Sequence, residues 1–383
     1  MQVDLRSKIP GEQKVFCFHL DNANRYLHTN MPFMKLIICC LFLLFSISLN
    51  AQQDNIDKFI EQQMKDQKIV GLSLGVIVNG KIVKAKGYGV ANLEYNIPAT
   101  ENTVYKMASV SKHMIASAIM KLVEEGKLNL SDSITKFFKG APPAWNKITI
   151  RHLMNHTSGL PRESPAFQPM LTQSDSLLIR VAYNTSMVFP TGTSWQYCNL
   201  GYFMLADIIR QISGKPFSRF MKDDIFYKYG LSNTQTTSLD YIVPMRANGY
   251  ARYGGDTMVN APNYVALRPS GAFLSTISDM MKWELLMQNN QMLTKKSWLQ
   301  MWDDTVKIAS TNSSAPPIYY GYGWNVSSYK NRKLVSHGGS LPGFRTIYYR
   351  FPDEKIAIVI LTNSEPTNAN PIAQGVADII LKN

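Results

Sequence analysis

Strand-like sequence stands at both ends of this chain and helix-like sequence fills the middle, an order that limits the fold more than any other feature. Residues 70–78 and 81–89 are two apolar runs around Asn79-Gly80, the strongest short-range hairpin signal. In the last quarter, residues 319–326, 333–336, 345–351 and 356–362 read as strands, with Asp353-Glu354 as a turn. Residues 371–381 close the chain as an amphipathic helix. Between these ends, helical spacing recurs over 109–125, 150–156, 174–183, 199–212, 279–287 and 298–302. Asp54 caps one more short helix before the first strand. The order predicts an α/β fold of the α+β type. One part is made from about residues 52–105 and 270–383, and a mainly helical part of about 106–269 is inserted between them. Residues 240–268 carry scattered Gly, Pro, Asn and Tyr and read as a long irregular excursion.

The first 51 residues read differently. Met34-Lys35 opens a secretory pattern: Lys35 is a positive n-region, residues 36–49 an apolar h-region, and Leu49-Asn-Ala51 a small-residue cleavage site. Residues 1–33 then form an upstream extension or a misplaced start, 34–51 a signal peptide, and Gln52 the first mature residue. The expected location is periplasmic or secreted, with no stable membrane span once the leader is gone. Three of the four cysteines, Cys17, Cys39 and Cys40, fall in this leader, so Cys198 alone can form neither a disulfide framework nor a cysteine metal site. The chain carries a net charge of +13. No basic run reaches five residues and no aromatic-basic motif for nucleic acid is present. The charge suits acidic partners such as cell-wall polymers.

Three stretches look chemical. Ser109 and Lys112 stand three apart at the start of the 109–125 helix, so their side chains share a face and the amine reaches the hydroxyl. A serine beside a proton acceptor at a helix N-terminus is the minimum for an activated nucleophile. The second is Tyr197-Cys-Asn199, at the junction of a Pro/Gly loop and the next helix. A phenol serves as a base near neutral pH only if cations stabilise the phenolate, and Lys112 can be one such cation. The third is His337-Gly338-Gly339-Ser340, a strand ending in residues that let a backbone come very close. Two decoys stand beside these. Ser73 sits in a Gly-x-Ser-x-Gly pattern, but inside a strand that continues into a hairpin, where the nucleophile elbow needs a strand-to-helix turn. His152 and His156 have the i, i+4 spacing of zinc ligands, yet no glutamate follows His152 and no third ligand is evident. A packing or hydrogen-bonding role suits His156 better.

Ser-x-x-Lys, Tyr-x-Asn and His-Gly-Gly, in this order, resemble the motifs of the serine β-lactamase and penicillin-binding protein superfamily. The chain is most similar to the class C β-lactamase-like serine hydrolases, a group that also holds D-amino-acid peptidases and esterases. Residues 150–161 (Ile-Arg-His-Leu-Met-Asn-His-Thr-Ser-Gly-Leu-Pro), Ser270-Gly-Ala272, Gly321-Tyr-Gly-Trp324 and Ile360-Leu-Thr-Asn363 extend the likeness over essentially all of the chain after the leader. The resemblance implies a β-lactamase/transpeptidase-like fold, an antiparallel sheet flanked by helices. It implies Ser109, Lys112 and Tyr197 as the catalytic set. Asn199 would orient Lys112 and a substrate amide. His337, Gly338, Gly339 and Ser340 would form a substrate-binding edge, with a backbone N–H near Ser340 helping to hold an oxyanion. No metal or organic cofactor is implied, and the expected partner is a small or peptide-like substrate, with cell-wall fragments among the candidates. Two departures stand out: Cys198 occupies a position where serine is commoner, and His337 replaces the lysine of the Lys-Thr-Gly found in class C β-lactamases.

Overall fold

In the computed structural model the described residues are 54–171, 173–237, 241–255, 257–263, 273–308 and 316–381. The extension, the leader and Ser270–Ala272 lie outside them. A helix over residues 54–67 (α1) leads into β1 (Gly71–Val78) and β2 (Lys81–Asn92). Asn79 and Gly80, both at positive φ (51° and 72°), make the two-residue turn between them, as the sequence predicts. Short strands β3 (Ile97–Pro98) and β4 (Tyr105–Lys106) follow. The helical middle holds α2 (Ser111–Glu124), α3 (Ile150–Met154), α4 (Asp175–Ala182), α5 (Asn199–Ser213) and α6 (Phe217–Phe220). After β5 (Gln235–Thr236), the stretch read as irregular contains a hairpin of β6 (Tyr250–Tyr253) and β7 (Thr257–Asn260). Then come β8 (Phe273–Ser275), α7 (Ile277–Gln288), α8 (Lys295–Asp303) and the strands β9 (Val306–Lys307) and β10 (Tyr319–Tyr320). The chain ends in β11 (Asn325–Tyr329), β12 (Arg332–Leu341), β13 (Phe344–Phe351), β14 (Ile356–Thr362), β15 (Ser364–Glu365) and α9 (Ala369–Leu381).

Nine strands form the main sheet in the order β3-β2-β1-β14-β13-β12-β11-β10-β9, and all pairs are antiparallel. The two ends of the chain meet at its centre, where β1 lies on β14 with Leu72 opposite Thr362. Strand alternation sends Ile356, Ile358 and Ile360 to one face, under α1 and α9, and Ala357, Val359 and Leu361 to the other, into the larger core with α2 and α7. Because helices cover both faces, these strands read as continuous apolar runs rather than alternating ones.

Two strand expectations need correction. Residues 319–326 are two strands, not one. A side chain at Gly321 would collide with the Met301 carbonyl and one at Gly323 with the His113 backbone, so the chain turns there against α8 and α2. The strand read over 333–336 continues to Leu341, because β13 pairs with it through both glycines, Gly338 opposite Ile347 and Gly339 opposite Thr346. Pairing with β11 stops at Ser336.

Candidate active site

Ser109 sits on a 3₁₀ turn, Ala108–Val110, that leads into α2, rather than inside the α-helix itself. The turn is fastened from two sides. Met107 N–H donates to the Phe273 carbonyl of β8 (2.8 Å), and Thr346 Oγ1 of β13 donates to the Met107 carbonyl (3.0 Å). Ala108 holds a left-handed φ of 48°, an uncommon backbone for a residue with a side chain, of the kind that clusters at functional sites. Gly339 of β12 faces the turn: a Cβ there would lie 2.6 Å from the Met107 carbonyl oxygen and 3.0 Å from Ala108 Cβ. Glycine at this point lets the nucleophile turn touch the strand. Lys112, fully buried in the first turn of α2, places Nζ 3.2 Å from Ser109 Oγ.

Tyr197 arrives from the other side of the cleft. The strip that carries it is strung along residues 156–162. Val188 N–H donates to the Gly159 carbonyl (2.8 Å), Gly192 N–H to Thr157 (2.9 Å), Gln196 N–H to His156 (3.0 Å) and Asn199 N–H to Arg162 (2.8 Å). Cys198 caps α5, its sulfur accepting from Gly201 N–H (3.3 Å) and donating to the Pro161 carbonyl (3.2 Å). Burial pushes the Cys198 thiol up to about 11, so it stays a neutral cap. The Tyr197 ring lies between cations: Lys112 Nζ is 4.7 Å and Arg162 Cζ 5.0 Å from its centroid. Burial raises the Tyr197 phenol, while the Ser109 hydroxyl and the Arg162 charge pull the other way. Its hydroxyl is buried with no hydrogen-bond partner among the described residues.

His337 is buried at 3% exposure, and both its ring nitrogens are engaged. Nδ1 lies 2.7 Å from the Gly338 carbonyl oxygen, which can only accept, so Nδ1 carries the proton. Nε2 is then the bare nitrogen and accepts from the Tyr320 hydroxyl (2.9 Å). Burial, with the nearby Lys112 charge, pushes the His337 pKa down to about 3, so the ring is neutral. A lone pair occupied by Tyr320 is not free to take a proton from Ser109. In this arrangement contact between His337 and a substrate runs through the ring edge or the strand backbone.

Ser109, Tyr197, His337, Gly338, Gly339 and Ser340 line one cleft of about 900 Å³. Lys112 lies beneath it, against Ser109. Asn199 is buried at the start of α5, where Nδ2 donates to Glu163 (2.6 Å) and Oδ1 has no hydrogen-bond partner among the described residues. Ser73 lies within β1 and hydrogen-bonds to the Thr100 carbonyl (2.8 Å) and Tyr105. His152 Nδ1 accepts from Thr149 N–H (3.2 Å) at the cap of α3. Among the described residues no group of three or more His, Cys, Asp and Glu is placed to hold a metal ion, and no helix is long and apolar enough to cross a membrane. Sequence reasoning missed Thr346, Tyr320 and Arg162. Each acts across more than fifteen residues of chain, and only the position of Arg162 directly after Leu160-Pro161 gave a local signal.

Comparison with known proteins places this geometry. The chain is 26% identical over 320 residues to Protein flp of Staphylococcus aureus (strain MW2), covering 82% of this chain and 64% of that protein, so it spans somewhat under two thirds of that relative. It is 28% identical over 317 residues to Penicillin-binding protein 4* of Bacillus subtilis (strain 168), covering 75% of this chain and 68% of that one. The octameric penicillin-binding protein homologue from Pyrococcus abyssi superposes with a TM-score of 0.77 at 26% identity, over 86% of this chain and 77% of that one. The D-amino acid amidase from Ochrobactrum anthropi SV3 shares the fold, with a TM-score of 0.74 at 22% identity over 86% of this chain and 99% of that one. The family model described as Beta-lactamase matches residues 56–380, from the first helix to the last, and the chain belongs to that family.

Proposed function

We propose that this protein is an exported serine hydrolase that cleaves amide or ester bonds through an acyl-enzyme on Ser109, in the manner of β-lactamases and D-Ala-D-Ala carboxypeptidases. The observation that carries the reading is the Lys112 amine 3.2 Å from the Ser109 hydroxyl, in a cleft that also receives Tyr197 and the glycine-rich edge of β12. Ser109 Oγ attacks the substrate carbonyl and its proton passes to the Lys112–Tyr197 pair. The backbone N–H groups of Ser109 and Ser340 hold the tetrahedral oxyanion, each such donor contributing about 3–4 kcal/mol. Tyr197 returns the proton to the leaving group, the C–N or C–O bond breaks, and the acyl group remains on Ser109. Water, deprotonated by the same pair, attacks the acyl carbonyl and the Ser109 hydroxyl is restored. Asn199 donates to Glu163 rather than meeting Lys112 as expected, which leaves its Oδ1 for a substrate amide, and the His337-bearing strand receives the substrate backbone.

A second reading, carboxylesterase, draws support from His337. A neutral imidazole with both nitrogens engaged offers no cation to a substrate carboxylate, which lowers the expected rate on β-lactams and on D-Ala-D-Ala peptides. The test is a fluorophosphonate label on wild type and Ser109→Ala, followed by turnover of a short acyl ester, a D-Ala-D-Ala peptide and a chromogenic cephalosporin. Label and turnover should vanish together in Ser109→Ala, and His337→Ala should raise KM more than it lowers kcat. An unlabelled wild type defeats the hydrolase reading. A lasting adduct by intact mass, without turnover, would make the protein a penicillin-recognising binder instead.

A further inference from the structure

His156 stands outside the reacting set, yet it meets the Tyr197 strip at two points. Its backbone carbonyl accepts from Gln196 N–H (3.0 Å), and its own ring nitrogen Nδ1 accepts from Cys198 N–H (3.1 Å). The residues on both sides of Tyr197 therefore donate their backbone N–H groups to one residue. A left-handed backbone makes this possible. With φ at 64°, His156 turns the chain after α3, and that turn presents carbonyl and ring to the same strip. The ring is fully buried and packs on Tyr197 (centroids 4.4 Å) and on Tyr320 (4.6 Å), the residue that holds His337.

The bond from Cys198 fixes the protonation of the ring. An N–H faces Nδ1, so Nδ1 is bare and the proton sits on Nε2. Burial and the charges of Lys112 and Arg162 hold the His156 pKa well below its usual value. Nε2–H is buried without a hydrogen-bond partner among the described residues, so the contacts that retain this ring are the Cys198 N–H bond and the aromatic packing.

We propose that His156 is the positioning residue for Tyr197, setting where the phenol stands over Ser109 by holding the backbone N–H of the residue before it and of the residue after it. The inference rests on the hydrolase reading for its kinetic consequence and on geometry alone for the clamp. An acceptor one bond beyond Cγ-level branching is what the Cys198 N–H needs. Asparagine supplies it, since Oδ1 stands where Nδ1 does, and it also tolerates a left-handed backbone. Glutamine places its oxygen one bond further out and does not.

The test compares His156→Asn, His156→Gln and His156→Ala on a short acyl ester. His156→Asn should keep kcat within about threefold of wild type. His156→Gln and His156→Ala should lose about 100-fold in kcat with KM within about twofold, the size expected when a catalytic group is misplaced by about 1 Å. Equal activity of the Asn and Gln variants overturns the proposal, as does a loss confined to KM. Should His156→Ala fail to fold, the Asn and Gln pair carries the comparison. If wild type neither labels nor hydrolyses, the hydrolase reading has failed separately. The clamp is then read from crystal structures of the two variants, with residues 196–198 displaced in His156→Gln and in place in His156→Asn. An undisplaced strip in His156→Gln overturns it.

Discussion

Gly338 and Gly339 are adjacent in sequence and unlike in what surrounds them. A Cβ on Gly339 would sit 2.1 Å from Thr346 Oγ1 and 2.6 Å from the Met107 carbonyl oxygen, whereas one on Gly338 would meet nothing closer than 3.7 Å. The Met107 carbonyl is backbone of the segment that carries Ser109, so it yields only by moving the nucleophile. Gly339→Ala should therefore cost about 1–3 kcal/mol of stability and reduce kcat/KM by about 100-fold. Gly338→Ala should cost less than about 1 kcal/mol. Urea melts and ester kinetics on the two variants check this, and equal stability losses would remove the argument from crowding.

The packing of α4 on α5 contains a carboxyl whose titration works against folding. Burial raises Asp175 to about 7, helped by the charge of Asp207 on α5 and opposed by Arg210. The unfolded chain releases this proton near 3.8 while the folded chain keeps it until about pH 7. Between these values the folded state binds more protons, so stability falls as pH rises across the interval and is level above it. Asp175→Asn removes that slope. Because the side chain keeps some solvent contact, the gain above about pH 7 should be about 1–2 kcal/mol, closing below about pH 4. Denaturant midpoints at the two pH values decide it, and a gain that persists in acid would point to another cause. The junction of α7 and β13 shows the opposite solution. Glu284 is buried and fully matched by Arg350 (2.7 Å) and the Tyr348 hydroxyl (2.5 Å).

At the scale of the molecule, charge bears on which substrates arrive. The chain carries +13, and among the described residues no Asp or Glu lines the cleft. Arg162 is exposed at its rim, while Arg345 is neutralised by Glu365. Such a field raises the encounter rate of anions and weakens as salt shortens the Debye length to below about 5 Å. For two acyl esters that share a leaving group, one with a carboxylate-ended chain and one neutral, kcat/KM of the anionic ester should fall at least about threefold between low salt and about 0.5 M. The neutral ester should change little. Equal responses would show that the field plays no part in capture.

Local sequence was enough for the parts whose physics is local. Asn79-Gly80 forms its turn because both residues accept positive φ, and Gly214 stops α5 for the same reason (φ 69°). The three-residue step from Ser109 to Lys112 brought amine and hydroxyl together because it is nearly one helical turn. Even there the 3₁₀ turn around Ser109 escaped the periodicity, since it is set by β8 and β13 rather than by its own residues. Tertiary structure alone decided that Tyr197 and His337 share the Ser109 cleft. It also decided which nitrogen of His337 carries the proton, and that His156 grips the strip on both sides of the phenol. Apart from the His337 Nδ1 bond to the next residue's carbonyl, those outcomes depend on contacts between groups 17 or more residues apart, and a repeat of two or 3.6 residues carries no information about them.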